Sequence, residues 1–220
     1  MGALQGRWRP VLLTAIFTGL RASELRGLRW QDVDLDRKEL HVRQRADRFN
    51  DLGEPKSEAG TRTLPMPPLV ANTLREWRLA CPRPITGRDD DGNLIREEMR
   101  PSQLVFPNTR GNVESIAKIV QLGLQPAQLA AGVTVDTGKV GKDGKPILKA
   151  RYTGLHALRH FYASWCINRK EDGGLGLPPK MVQERMGHST IALTMNTYSH
   201  LFPRTDDAGE LAAAEASLLR

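Results

Sequence analysis

Two cysteines in 220 residues, Cys81 and Cys166, are too few and too far apart for a disulfide framework or a cysteine-based zinc site, which fits a reducing compartment. No apolar run approaches about 18 residues, and the first residues lack a charged region followed by an apolar stretch and a cleavage site. Neither a membrane span nor a secretory leader is expected, and the expected setting is the cytoplasm. No internal repeat is present. With 40% hydrophobic residues the chain is expected to fold, and its length suffices to bury a core as one domain.

Charge of one sign is in surplus. Lysine and arginine total 32 against 25 acidic residues, giving +7 and favouring a polyanionic partner. Between Lys139 and Lys170 eight basic residues face one acid, Asp143, a surplus equal to that of the whole chain. Charge alone is equally compatible with a solvated surface.

Pro10 opens a predicted helix through Val11 to Phe17 that ends at Gly19, and Ser23 is the expected cap of a second, Glu24 to Leu28, with Arg21 in the turn between them. Leu40 and Val42 alternate with polar residues and pair with Arg62 to Leu64 as a hairpin, with Lys56 in its long connection. Leu69 to Leu79 reads as helix. Residues 81–103 read as a mobile surface loop, and Val113 to Ala131 as helix. Val133 to Val135 and Ile147 to Leu148 flank an Asp-Gly turn as a basic β-hairpin carrying Lys142, Lys145, Lys149 and, just beyond it, Arg151. Further helices are expected at Leu155–Arg169, Pro178–Met186, Thr190–Tyr198 and Glu210–Leu219.

Several residues invite metal readings. His156 and His160 are four apart on one helix, but no glutamate or cysteine stands nearby to complete a zinc site. The run from Asp89 puts Leu94 and Arg100 where a calcium loop needs glycine and glutamate. Asp32, Asp34 and Asp36 suit a turn into the hairpin better than a pair of metals. No metal or cofactor is expected. On the helix from Leu155, helical rotation groups Leu158, Phe161, Tyr162 and Trp165 on a core-facing side and His156, Arg159 and His160 opposite. Ile191, Met195 and Tyr198 recur at helical spacing, so Tyr198 can be read as the wet end of an apolar stripe.

Five separated segments argue otherwise: Thr18-Gly-Leu-Arg-Ala-Ser-Glu-Leu25, Pro55-Lys-Ser-Glu-Ala-Gly-Thr-Arg-Thr63, His156-Ala-Leu-Arg-His160, Met186-Gly-His-Ser189 and Thr197-Tyr-Ser-His200. Each is weak alone; together, in this order and in a basic chain, they resemble the catalytic domain of the tyrosine recombinases, the phage-integrase family. The resemblance spans about Pro10 to Pro203. Met186 departs from the commoner leucine, and the segments 81–103 and 133–149 are elaborations.

The resemblance implies a mixed α/β, mainly helical catalytic domain with a small antiparallel β-sheet. Residues 1–220 form one domain, with a core at about 10–203 and a helical tail at 207–220; a separate N-terminal DNA-binding domain is expected to be absent from this chain. It further implies cutting and rejoining of DNA strands through a tyrosine, without metal or ATP, in phage or mobile-element integration and excision. Tyr198 would be the nucleophile, Arg21 and Arg159 the phosphoryl clamp, and Lys56 the general acid. His156 would be the general base, His188 a donor to the phosphoryl oxygens, and Glu24 a supporting residue. Implied partners are double-stranded DNA attachment sites, further copies of the chain assembling on DNA as a tetramer, and accessory DNA-bending proteins. A type IB topoisomerase-like activity and a DNA-binding module without chemistry are the alternatives.

Overall fold

The computed structural model describes residues 4–202 and 208–219. Helix α1 (Trp8–Thr18) is apolar around most of its circumference, and such a helix is stable only where neighbours cover it on several sides. Val11, Leu12, Leu13 and Ala15 are accordingly all buried. It ends at Gly19, whose φ of +62° suits glycine, and a Cβ there would run into the Tyr162 ring.

Arg21 follows in an extended conformation as the turn into α2 (Ala22–Gly27), as the sequence suggests. The expected cap is displaced. Arg21, not Ser23, holds the cap position, and its backbone N–H donates to the Glu24 carboxylate at 2.8 Å. A carboxylate three residues inside a helix reaches back to an otherwise free N–H, so Glu24 does what the Ser23 hydroxyl would have done.

Strands β1 (Val33–Asp34), β2 (Glu39–Val42) and, after a long excursion, β5 (Arg62–Pro65) form an antiparallel sheet in the order β1-β2-β5, with Leu40 opposite Leu64. Between β2 and β5 lies a small hairpin of β3 (Arg45–Ala46) and β4 (Leu52–Gly53), followed by Lys56. Asp34 makes the expected turn, accepting from the backbone N–H of Asp36 and Arg37, while Asp32 pairs with Arg29 at 2.8 Å.

Helix α3 (Pro68–Ala80) packs on α1. Residues 81–103 are not simply a loop, because β6 (Ile85–Arg88) and β7 (Leu94–Arg96) pair as a hairpin. Its turn is built by Asp89, whose carboxylate accepts from the N–H of Asp91 and Asn93, and by Gly92 at φ +83°. Strands this short, with exposed Ile85, Leu94 and Ile95, show no alternation that would mark them.

The expected helix from Val113 starts later and is irregular: α4 (Ile116–Lys118), a π-helical turn at Ile119–Leu124 and α5 (Gln125–Ala130). Pro126 cannot donate to the preceding turn, and the widened segment directly precedes it. Strands β8 (Thr134–Val140) and β9 (Pro146–Ala150) form the expected basic hairpin, with Lys142, Lys145, Lys149 and Arg151 all exposed.

Helix α6 (His156–Ile167) corrects the expected faces. Its buried side is Leu155, Arg159, Tyr162, Ala163, Cys166 and Ile167, while Phe161 is 51% exposed and Arg159 only 3%. An arginine enters this stripe because carbonyls await it, as described below. Helices α7 (Pro179–Met186), α8 (Ile191–Tyr198) and α9 (Ala208–Leu218) follow. The apolar interior has two parts, one around α1, α2, α3 and the three-stranded sheet, the other formed by α6, α7 and α8. Leu211 and Leu218 of α9 are exposed; the expected boundaries at Pro203 and residue 207 lie outside the described residues. Among the described residues no helix is long and apolar enough to cross a membrane.

Candidate active site

The last carbonyls of a helix lack intrahelical partners and carry the negative end of its dipole, so cations are stabilised there. At the end of α7 three arginines from three different elements take one carbonyl each. Arg62 of β5 donates through Nε to the Arg185 carbonyl at 2.9 Å, Arg159 of α6 through Nη2 to that of Met186, and Arg21 through Nη2 to that of Gly187 at 2.9 Å. Arg159 also donates through Nη1 to the Gly19 carbonyl at 2.6 Å, tying the two apolar clusters together. Gly187 has φ +60°, and a Cβ there would lie 2.7 Å from Arg62 Nη1 and 2.9 Å from the Ala59 carbonyl oxygen. Glycine therefore permits both the left-handed turn and the approach of the arginine.

Three guanidiniums so close repel one another, and Glu24, 3% exposed, offsets that repulsion. Its Oε1 accepts from Arg21 Nη1 at 2.7 Å and Arg62 Nη1 at 3.1 Å; its Oε2 accepts from Arg62 Nη2 at 3.0 Å. Burial by itself raises the Glu24 carboxyl, but Arg62 and then Arg21 outweigh it and hold the group down at about 2, from an ordinary 4.5. Burial, then Arg21, lowers Arg159 to about 10, which leaves it charged at neutral pH.

The Glu24 shift has a pH signature. Between about 4.5 and about 2 the unfolded chain binds a proton at Glu24 that the folded chain does not, so this stabilisation is complete above 4.5 and is lost as pH falls towards 2. Glu24→Gln is expected to be less stable than the parent at neutral pH by on the order of 3 kcal/mol, with the difference shrinking through that window. Denaturant unfolding at a series of pH values checks this; a gap that stays constant on acidification would remove the carboxylate from its place as counter-ion.

His188 follows Gly187 directly. Its backbone N–H is held by the Gln183 carbonyl at 3.1 Å, and its Nδ1 lies 2.9 Å from Thr194 Oγ1. Burial, with Arg159, Arg21 and Arg62 adding to it, pushes the imidazole down to about 4, so the ring is neutral at physiological pH. In the tautomer in which the Thr194 hydroxyl donates to Nδ1, the ring proton sits on Nε2, which is then a donor.

Thr190 caps α8 by accepting from the Leu193 N–H. Tyr198, at the far end of α8, is 5% exposed, with its ring stacked on that of His188 at 6.4 Å between centroids. It is not the wet end of an apolar stripe, since Ile191 is exposed while the Tyr198 hydroxyl is hydrogen-bonded to His160 Nδ1 at 2.8 Å. Burial raises the phenol above its ordinary value, with Arg159 opposing. The resemblance gives His156 the general base's role, while the hydroxyl's hydrogen bond is shared with His160, one turn along α6. His156 packs edge-on against the His160 ring, with 4.6 Å between centroids, and burial, then His160, Arg159 and Arg21, lower its pKa. Among the described residues no third side chain of metal-binding type joins this pair in a cluster.

Arg21, Arg159, His156, His188 and Tyr198 are thus brought together from segments up to 177 residues apart in sequence, with Glu24 behind them. Lys56 is exposed and lines, with Arg21, Glu24, Arg45 and Arg48, an open cleft of about 800 Å³. Arg62, on the strand that closes the Lys56 connection, is instead turned onto Glu24, with its side chain largely buried. Lys142, Lys145, Lys149 and Arg151 are exposed on and beside the β8–β9 hairpin. Sequence reasoning misses Arg62 as a structural partner of Glu24 and His160 as a partner of Tyr198; the strand assignment of Arg62 is the only available signal.

The chain matches the model of the phage integrase family over residues 3–204. It is 31% identical, over 92% of its own length and 48% of the relative's, to a tyrosine recombinase XerC-like protein of Caldanaerobacter subterraneus subsp. tengcongensis. It is 28% identical, over 86% of its length and 41% of the relative's, to the transposase from transposon Tn916 of Enterococcus faecalis. The chain thus spans less than half the length of these relatives. In fold it resembles the Tn1549 transposon integrase in complex with circular intermediate DNA, with a TM-score of 0.57 and 21% identity over 96% of this chain and 59% of that one. It likewise resembles the XerA recombinase, at TM-score 0.53 and 19% identity over 90% and 59%. With the five segments gathered at one helix end, and a family model matched along almost its whole length, the chain belongs to the phage integrase family.

Proposed function

We propose that this chain is the catalytic domain of a site-specific recombinase that cuts and rejoins DNA strands through Tyr198. The observation that carries the reading is the gathering of Arg21, Arg159 and the neutral His188 at the end of α7, with the Tyr198 ring stacked on His188. Such a constellation suits phosphoryl transfer, which needs a nucleophile, fixed positive charge for the non-bridging oxygens and a proton for the leaving oxygen. Tyr198 Oη attacks phosphorus and the bond to the 5′ oxygen breaks, leaving a 3′-phosphotyrosyl link. Arg21 and Arg159 balance the equatorial charge, and His188 donates through Nε2. Lys56, from the adjoining cleft, gives its proton to the 5′ oxygen. The Tyr198 proton goes to the His156–His160 pair. A 5′-hydroxyl from a second strand reverses the sequence, and the ester energy is conserved in the phosphotyrosine, so no ATP enters.

Double-stranded attachment-site DNA is the proposed substrate, in integration and excision of a phage or mobile element. The names of the transposase and integrase relatives support this. Assembly of copies on paired sites, to which the exposed leucines of α9 are available, and accessory bending proteins belong to the same proposal. The buried free thiols of Cys81 and Cys166 suit the reducing cytoplasm.

The test is covalent trapping. Incubated with nicked duplexes bearing candidate attachment sites, the protein is expected to yield an adduct that survives denaturing electrophoresis, because the short fragment released beside the nick diffuses away. Binding without adduct on every site would leave a DNA-binding module, and relaxation of supercoiled plasmid without strand exchange would indicate a topoisomerase.

The exposed hairpin makes a separate expectation. Each phosphate that the protein no longer neutralises is expected to flatten the dependence of log affinity on log salt by about 0.9. Replacing Lys142, Lys145 and Lys149 together by glutamine is therefore expected to reduce the salt slope measured by fluorescence anisotropy. An unchanged slope would place the hairpin off the DNA.

A further inference from the structure

Lys56 stands in a connection, residues 54–61, whose two ends are held by the same short helix, α2. At the far end Glu24 accepts from Arg62 Nη1 at 3.1 Å and Nη2 at 3.0 Å. At the near end the holder is Arg26, on the same helix and only 2% exposed. A buried guanidinium needs acceptors for its N–H groups, and Arg26 finds three, none of them a carboxylate. Its Nε donates to the Glu114 carbonyl at 2.6 Å, Nη1 to the Asp47 carbonyl at 2.8 Å and Nη2 to Asn50 Oδ1. Two of the three belong to the turn between β3 and β4.

That turn is stiff in itself. The Asp47 carboxylate accepts from the N–H of Phe49 at 2.7 Å and of Asp51 at 3.0 Å, and Asn50 sits at φ +73°, which asparagine tolerates better than most residues. Strand β3 is pressed against the end of α2: a Cβ on Gly27 would lie 2.5 Å from the Arg45 carbonyl carbon, and Gln44 Nε2 donates to the Gly27 carbonyl at 2.9 Å. Glu114 is anchored in turn, 3% exposed and paired with Arg7 at 2.9 Å. Beyond β4 the connection closes on itself, since a Cβ on Gly60 would lie 2.6 Å from Pro55 Cβ, immediately before Lys56.

Resting on the recombinase reading above, we propose that Arg26, gripping Asn50, is a positioning residue for the general acid. By tying the β3–β4 turn to α2 it fixes where β4 releases the chain, and Lys56 follows Gly53 by three residues. The same helix carries Arg21 at its start, so the lysine and the phosphoryl clamp are referred to one rigid element. Arg26, Asp47 and Lys56 line the same cleft as Arg21. Proton transfer to a leaving oxygen requires the donor within hydrogen-bond reach, and a displacement of about 1 Å can cost on the order of 10²-fold in rate. Arg26 touches no reacting atom; its effect passes through the placement of Lys56.

The experiment uses the full chain, a nicked duplex on which the wild type forms adduct, and the same duplex with a 5′-bridging sulfur, whose departure needs no proton. Arg26→Ala strips three acceptors of their donor and threatens the fold, so the decision rests on Asn50. Asn50→Gly suits the positive φ and removes the Oδ1 acceptor. It is expected to slow single-turnover cleavage of the oxygen substrate by about 10-fold or more and to cleave the sulfur substrate at close to the wild-type rate. Asn50→Asp, which restores an acceptor for Arg26, is expected to recover most of the lost rate on oxygen. Equal slowing of Asn50→Gly on both substrates, wild-type rates on both, or no recovery in Asn50→Asp would each overturn the inference, even with Lys56→Ala spared on sulfur. Lys56→Ala slowed equally on both would instead remove the general acid, and with it anything to position. Absence of wild-type adduct on every duplex would remove the recombinase reading itself.

Discussion

Tyr198→Phe is expected to reduce the covalent adduct to background while leaving DNA affinity within the scatter of the wild type. The change removes one oxygen, and no other atom of the phenol is asked to react. The ring keeps its place in the second apolar cluster and against His188, so the helix that carries it has no reason to move. The structural loss is one hydrogen bond to an exposed imidazole, worth about 1 kcal/mol or less. Because the proposed DNA contacts are made by lysines and arginines elsewhere, the two readouts separate: adduct by denaturing electrophoresis, affinity by anisotropy. Adduct persisting in the phenylalanine variant would pass the nucleophile's role to another side chain, and Tyr198 would revert to a core residue.

Arg159→Ala is expected to slow cleavage by on the order of 10² to 10³, the usual cost of removing one preorganised donor from a developing oxyanion. It is also expected to lower stability, since the Gly19 and Met186 carbonyls are deprived of a partner that spans both clusters, at about 1–3 kcal/mol for each buried group left unpaired. Arg159→Lys guards against mistaking unfolding for chemistry: it keeps the charge but, as a single ammonium, cannot reproduce the fork between two carbonyls. The position of sulfur in the substrate then separates the clamp from the acid. A 5′-bridging sulfur leaves as a thiolate without needing a proton, so Lys56→Ala is expected to cleave that substrate at close to the wild-type rate and the normal one slowly. The Arg159 variants are expected to be impaired on both. Equal impairment of Lys56→Ala on the two substrates would make Lys56 a phosphate-binding residue in the cleft it lines.

Much of the site is legible in the chain because its chemistry is carried by residue types in short local settings. Arg21 between a helix-ending glycine and a helix, Thr190 before α8, and Leu40 and Val42 alternating ahead of the Lys56 connection depend on interactions a few residues long. Expectation and structure part where a distant partner decides. Helical rotation puts Arg159 on a solvent face because it counts guanidinium as polar; the fold buries it because the ends of α1 and α7 present carbonyls to it. Phe161 is displaced to the surface by the same rotation of the helix. Ser23 yields the cap position to Arg21, whose N–H is satisfied by Glu24, a carboxylate in turn oriented by Arg62 from a strand 38 residues away. The hairpin in residues 81–103 leaves its turn visible and its strands not, since strands of three or four exposed residues have no periodicity to read.

Family, mainly helical mixed architecture and the cast of arginine, lysine, histidine and tyrosine residues all follow from the order of residues alone, because each depends on local pattern and residue chemistry. Which imidazole touches Tyr198, which arginine is buried and what neutralises it are settled by the packing of distant elements. His156 and His160 occupy the same helix one turn apart, and choosing between them requires the angle at which α8 crosses α6. Glu24, Arg62 and the three carbonyls at the end of α7 belong to three elements whose separation in sequence hides that they share one charge balance. Hydrogen bonds and ion pairs act over a few ångströms of space, and only the folded chain sets those distances.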